Sequence, residues 1–222
     1  MAYNILPRQT TPTKINRSFY GDLSQEILQK TMFPLAGKLK TEVRKYAAEM
    51  GFYAVSERKD SLGVCFLGND NYRPFVINEL KKRGITIPQG TYINSKGEYL
   101  GSNQGYVHYT IGQRKNLGLH TNARIFVKQI LPKSNQVVLS EYSELYRTSF
   151  EITNVYFHNV ADISKQLIVK IRYRMQANAC TLTPLNSNTF KVHVTEPLES
   201  IAPGQTAVFY IGTRVVGGGF IR

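Results

Sequence analysis

From Phe150 onward the chain is written almost wholly in short β-prone runs, and this restricts its fold more than any other feature. Ile152, Val155 and Phe157 open the series. Residues 167–174, Thr181-Leu182, residues 190–194 and residues 207–211 continue it, with turn formers such as Pro203-Gly204 between them. Short strands at near-regular spacing predict a small antiparallel barrel, in which closure removes unpaired edges. Gly217-Gly218-Gly219 belongs in the last strand, packed closely on neighbouring backbone. It is no phosphate loop, because no helix of useful length follows it.

Upstream the periodicity is helical. Asp22 or Ser24 is expected to cap a short helix carrying Ile27, Leu28 and Met32 and ended by Pro34. Thr41 reads as the N-cap of a second helix, with Val43, Tyr46, Ala47 and Met50 on one stripe and Gly51 as its stop. Residues 62–67 suit a short buried strand or a tight loop. Residues 69–83 predict a third helix with Phe75, Val76 and Leu80 inward, closed by Gly84. Turn signals then crowd together at Pro88-Gln89-Gly90, Ser95-Lys96-Gly97 and Asn103-Gln104-Gly105. Strands are expected at Ile125-Phe126-Val127 and Val137-Val138-Leu139, parted by Pro132-Lys133-Ser134-Asn135. The fold class is therefore α+β: a helical piece over 1–70, a small mixed central domain over 71–147 and a C-terminal antiparallel β-barrel over 148–222.

The 222 residues include 28 Lys and Arg against 15 Asp and Glu, a net charge of +13. Such a balance favours a polyanionic partner, nucleic acid first. The two cysteines, Cys65 and Cys180, form no C-x-x-C pair, so neither a zinc site nor a disulfide scaffold is expected. The four histidines show no metal-ligand spacing, and no metal is predicted. No apolar run reaches membrane-spanning length and the start lacks a long apolar signal core, so no membrane is expected and the cytoplasm is the expected address. No G-x-x-x-x-G-K-[ST] motif occurs, so no ATP site is visible in this sequence.

Cys65 sits between two glycines in Lys59-Asp60-Ser61-Leu62-Gly63-Val64-Cys65-Phe66-Leu67-Gly68. Small neighbours admit a large substrate, and Arg58 and Lys59 favour the reactive thiolate. The competing reading is a buried structural thiol beside Val64, Phe66 and Leu67. Cys180 reads as core. In residues 106–118, Arg114 and Lys115 suit phosphate, the one as a fork and the other as a point charge; a hairpin with a solvated basic turn is the alternative. Arg172-Tyr173-Arg174, read as strand, puts both arginines on one face for a nucleic-acid backbone and Tyr173 on the other for a base. An ordinary strand with Tyr173 in the core is the other possibility. Gln205, in the turn Pro203-Gly204-Gln205, is within reach of a base or sugar, or is a plain loop residue.

Taken in order, these words resemble the tRNA-specific 2-thiouridylase family. The resemblance is carried by Phe33-Pro34-Leu35, Val43-Arg44-Lys45 with Ala47, the Lys59–Gly68 run, Tyr109-Thr110-Ile111-Gly112-Gln113-Arg114-Lys115, Arg172-Tyr173-Arg174 and residues 203–210, and it extends from about residue 16 to the end. It implies 2-thiolation of a tRNA wobble uridine: a PP-loop domain adenylates the uracil 2-oxygen with ATP, and sulfur then replaces that oxygen. Cys65 falls on the persulfide-carrying cysteine, assisted in the family by a second, upstream cysteine. Arg172, Tyr173 and Gln205 fall on tRNA-contacting barrel positions. Asn16-Arg17-Ser18 falls on a tRNA-contacting Asp-Gln-Ser, of which only the serine is kept. The first 70 residues are then a helical remnant of the α/β PP-loop domain, whose phosphate loop and upstream cysteine have no counterpart in this sequence. The implied partners are tRNA, a sulfur donor such as a cysteine desulfurase or sulfur-relay protein, and a separate PP-loop chain. The alternative is a catalytically inactive truncated homologue that serves as a tRNA-binding module.

Overall fold

A computed structural model describes residues 25–32, 34–35, 38–58, 72–119, 123–172 and 175–222. The chain divides into two units. One comprises Met1–Lys59, Thr148–Pro197 and Ala202–Arg222; the other comprises Asp60–Arg147 and Leu198–Ile201.

Among the described residues the first unit holds the short α-helices α1 (Gln25–Lys30), α2 (Lys40–Glu49) and α3 (Tyr53–Glu57). The expected caps of α1, Asp22 and Ser24, lie outside the described residues. Thr41 is not the cap of α2. The cap lies two residues earlier, at Leu39, whose extended backbone (φ −72°, ψ 147°) turns its N–H to the Glu42 carboxylate at 2.6 Å. Glu42 prevails because a carboxylate three residues on satisfies an orphan N–H and faces the positive end of the helix. Gly51, at φ +84°, ends the helix as its sequence position suggests. The Arg44 guanidinium then clips α2 to α3 through Ser56 O and Arg58 O, both at 2.7 Å. The apolar stripe of α2 is not buried among the described residues: Tyr46 and Met50 are exposed.

In the second unit, α4 (Arg73–Lys82) carries Pro74 in its first turn and stops at Gly84, φ +67°. Val76 and Leu80 are half-buried, but Phe75, expected inward, is exposed. Strands β1 (Gly90–Asn94) and β2 (Tyr99–Asn103) form an antiparallel hairpin across the Ser95-Lys96-Gly97 turn. Strands β3 (Phe126–Leu131) and β4 (Gln136–Ser140) form a second, and β1 pairs β4 in parallel, giving the order β2-β1-β4-β3. Tyr92, Tyr109, Leu117, Val127, Val137 and Leu139 make the core. The Tyr92 hydroxyl donates to Leu117 O at 2.7 Å, and its ring meets Tyr109 edge-on at 5.3 Å, so the loop after β2 is held to the sheet by both packing and a hydrogen bond. Residues 106–118 are accordingly no hairpin: a 3₁₀ turn, Tyr106–His108, leads into an irregular loop.

The barrel is as the strand spacing predicts. Strands β5 (Tyr146–Phe157), β6 (Leu167–Lys170), β7 (Asn178–Pro184), β8 (Thr189–Glu199), β9 (Thr206–Ile211) and β10 (Arg214–Ile221) close in the order β10-β5-β8-β7-β6-β9. Val169, Val192, Val208, Phe209 and Val216 are fully buried, and Phe157 stacks on Phe209 at 5.7 Å. The glycine run lies in β10, where a Cβ on Gly217 would stand 2.3 Å from Tyr156 O, so the strands approach only because it has none. Strand β6 is shorter than expected. Its ladder ends with the pairs Val169–Asn178 and Lys170–Val208, and Arg172 lies in the bend beyond it. The two-sided strand argument for Arg172-Tyr173-Arg174 therefore does not hold. Asp162, buried, is clamped by Lys165 Nζ at 2.7 Å and Arg214 Nη1 at 3.0 Å, which ties the link between β5 and β6 to β10.

Candidate functional site

In the Asp60–Arg147 unit, the loop bearing Gln113-Arg114-Lys115 is pinned rather than free. Gly112 N–H donates to Val127 O at 2.8 Å and Val127 N–H donates back to Gln113 O at 2.9 Å, so the loop borrows a rung from β3. The Gln113 side chain closes the turn on itself. Its Oε1 accepts from Thr110 N–H at 3.1 Å and its Nε2 donates to Lys115 O at 2.9 Å. Gly112 sits at φ +83°, and a Cβ there would be 2.8 Å from Ser200 Oγ. With Gln113 spent on the fold, Arg114 and Lys115 are left exposed on a fixed backbone. Two cations held this way can meet phosphate with little loop ordering to be done on binding.

The same loop borders a cavity of about 350 Å³, lined by Arg73, Asn103, Gln104, His108, Tyr109 and Asn116 among others. Arg73 Nε and Nη2 both donate to His108 O, at 3.2 and 3.1 Å, so α4 supplies the cation of this wall. Burial, and then the Arg73 charge, lower the pKa of His108, which keeps its imidazole neutral around pH 7. Tyr109 is buried, and its hydroxyl accepts from Gln104 N–H at 3.2 Å. Asn103 Oδ1 accepts from Gly105 N–H at 2.8 Å, while Asn103 Nδ2 has no hydrogen-bond partner among the described residues. Arg73, Asn103, His108 and Asn116 escaped the sequence reading. Asn103-Gln104-Gly105 registers there only as a turn, and no spacing links Arg73 to a wall built some thirty residues later.

In the barrel unit, Arg172 is half-buried in the bend after β6. Gln205 is exposed, in a turn whose backbone is bound to the end of β10: Gly204 N–H donates to Ile221 O and Ile221 N–H to Gln205 O, both at 2.8 Å. Cys65, Asn16, Arg17, Ser18 and Tyr173 lie outside the described residues. Cys180 lies in β7, buried as expected, and burial pushes its thiol up to about 12, so it stays protonated and inert. Among the described residues no three His, Cys, Asp or Glu side chains are placed to hold a metal, and no helix is long and apolar enough to cross a membrane.

Three family models match the chain in succession: a tRNA methyl transferase HUP domain at residues 4–69, a tRNA methyl transferase PRC-barrel domain at 78–141 and an aminomethyltransferase beta-barrel domain at 147–221. The tRNA-specific 2-thiouridylase MnmA 2 of Phocaeicola vulgatus is 43% identical over 212 residues, which is 95% of this chain and 60% of the relative. MnmA 1 of Bacteroides fragilis is 39% identical over 232 residues, 99% of this chain and 62% of the relative. MnmA of Caldicellulosiruptor saccharolyticus is 35% identical over 220 residues, 98% of this chain and 60% of the relative. The chain thus spans about three-fifths of the length of the curated relatives it matches.

Proposed function

The chain belongs to the tRNA-specific 2-thiouridylase family, and on that premise we propose that it acts in the 2-thiolation of a tRNA wobble uridine, supplying the sulfur-carrying thiol and the RNA-binding surface. The observation that carries this function is the succession of three family matches together with relatives that bear the thiouridylase name. Cys65 takes up sulfur as a persulfide; as its outer sulfur bonds to the activated uracil carbon and the adenylate leaves, a second thiol, supplied with the PP-loop domain, attacks the inner sulfur, breaks the S–S bond and forms a disulfide with Cys65 that an external dithiol reopens. The chemistry of the other cysteine supports this assignment, since the sequence holds two and the Cys180 thiol is buried and held protonated. ATP-dependent adenylation of the uracil 2-oxygen is the work of a PP-loop domain. It turns that oxygen into a good leaving group, so the sulfur nucleophile needs only modest activation. Asn16, Arg17, Ser18, Arg114, Lys115, Arg172, Tyr173 and Gln205 contact the tRNA, and the reaction takes place in the cytoplasm. The pinned, solvent-facing Arg114 and Lys115 and the net charge of +13 are what a phosphate-led interface requires.

The test begins with sulfur. Cys65 is expected to accept labelled sulfur from a cysteine desulfurase, and a Cys65→Ser chain that labels equally well would remove the carrier role. Thiolation of wobble uridine is then measured with and without an added PP-loop domain. Product in the supplemented reaction supports the function. No product in either arm, with tRNA binding intact, would reduce the chain to a tRNA-binding module. Arg172→Ala is expected to weaken tRNA binding by ~1–2 kcal/mol, the scale of a charge-assisted hydrogen bond.

A further inference from the structure

We propose that the cavity beside the Arg114–Lys115 loop is a nucleotide site, which takes one unstacked nucleotide of the bound RNA and holds an oxygen of it on Asn103 Nδ2. This assignment rests on the tRNA reading above and goes beyond it by naming where a single nucleotide is read. Asn103 is 5% exposed, yet its Nδ2 has no hydrogen-bond partner among the described residues. A buried donor without a partner is unusual enough in folded proteins to require one from outside the fold. Its side chain is not free to turn away, because Oδ1 is committed to Gly105 N–H at 2.8 Å. The donor therefore calls for an acceptor from the ligand.

The rest of the wall narrows the acceptor's identity. Arg73 contributes a positive charge and no carboxylate lines the cavity among the described residues, so the occupant is electron-rich. The amides of Gln89, Gln104 and Asn116 and the neutral imidazole of His108 offer both donors and acceptors, as base edges demand. A volume of about 350 Å³ lies at the small end of ligand sites and suits one nucleotide rather than a larger cofactor. Chain continuity favours a nucleotide of a strand over a free metabolite. Asn116, on the wall, directly follows Arg114 and Lys115, which are exposed where flanking phosphates would run.

Asn103→Asp tests this. It keeps the acceptor for Gly105 N–H, removes the donor and adds a carboxylate charge, so uncharged nucleosides are titrated beside the monophosphates to separate lost donation from repulsion. The full chain is titrated by NMR or calorimetry with the four nucleoside 5′-monophosphates and with inorganic phosphate, and its tRNA affinity is measured in parallel. At least one monophosphate is expected to bind more tightly than phosphate alone. Asn103→Asp is expected to weaken that binding at least tenfold and tRNA binding about fivefold, with an unchanged melting temperature. If the wild type binds tRNA but no monophosphate, or if Asn103→Asp binds both as the wild type does, the nucleotide site is overturned while the tRNA reading stands. Phosphate binding equal to every monophosphate makes the cavity an anion site only and also overturns the proposal. A wild-type chain that binds no tRNA overturns the tRNA reading and this site with it. Should Asn103→Asp melt lower, Asn116→Gly replaces it: glycine keeps the left-handed backbone at φ +60° and removes the amide, with the same loss expected and the same overturning result.

Discussion

At the scale of the residue, the described acidic and basic groups predict how the chain responds to acid. Both ring nitrogens of His158 are buried without hydrogen-bond partners among the described residues. Burial lowers its pKa from the ordinary 6.5, the Arg214 charge lowers it further, and Asp162 only partly opposes them. His108 is lowered as well, again first by burial. A histidine depressed in the folded state is protonated first in the unfolded chain, so stability falls as pH drops below about 6.5. Asp162 acts later. Burial pushes its carboxyl up, but hydrogen bonds from Arg214 and Lys165 prevail and bring it below the ordinary 3.8. Its contribution is present above that value and is lost as pH falls past it. Urea unfolding across pH is expected to show two acid losses, one from each window. His158→Phe is expected to flatten the first and to add about 1 kcal/mol, since two unpaired buried polar atoms are removed without loss of ring volume; an unchanged pH slope would count against this. The thiols give a second residue-scale outcome. A native chain should show one fast-reacting thiol, lost in Cys65→Ser, while Cys180 reacts only on unfolding.

At the scale of the element, the glycines of β10 have consequences of graded size. A Cβ at Gly217 meets backbone oxygen at 2.3 Å, whereas at Gly219 the nearest atom is a Val155 side-chain carbon at 3.1 Å. Gly217→Ala is therefore expected to cost about 3 kcal/mol and Gly219→Ala about 1 kcal/mol, read from urea midpoints; equal effects would mean that β5 yields more easily than its pairing with β10 suggests. This barrel was legible because its strands are short β-prone runs closed off by turn formers, a pattern local in sequence. Strands β1 and β2 were not, because three turn signals between Pro88 and Gly105 hide strands of five residues each. The Thr41 cap misled for a related reason. Threonine is a good cap by propensity, but Glu42 reaching back to Leu39 N–H fixes the helix start, and a side chain's reach is settled only in three dimensions. Phe75 and the stripe of α2 look inward by period alone, and period does not say whether a neighbouring surface covers them. The cavity wall was illegible for the same reason at longer range: Arg73 and Asn103 become neighbours only through the docking of α4 on the loop that follows β2.

At the scale of the whole molecule, the net charge of +13 poses a question that single sites do not: does RNA feel the total field or particular cations? The two alternatives separate by salt. Each phosphate neutralised by a held cation releases counterions, and log K falls against log salt by about 0.7–0.9 per contact. A diffuse field steers association without fixing such contacts. Arg114 and Lys115 are exposed on a loop locked by Gln113, so they are candidates for held contacts. Lys30 and Lys45 lie equally open, but each already has a carboxylate one helical turn away, Glu26 at 2.6 Å and Glu49 at 3.8 Å. The doubles Arg114→Ala/Lys115→Ala and Lys30→Ala/Lys45→Ala both lower the net charge by two. If contacts matter, the first is expected to reduce the salt slope by about 1.5 and the second by much less. Filter binding of tRNA across a range of salt concentrations measures both. Equal losses in the two doubles would mean that the charge acts as a field, and Arg114 and Lys115 would lose their place in the interface.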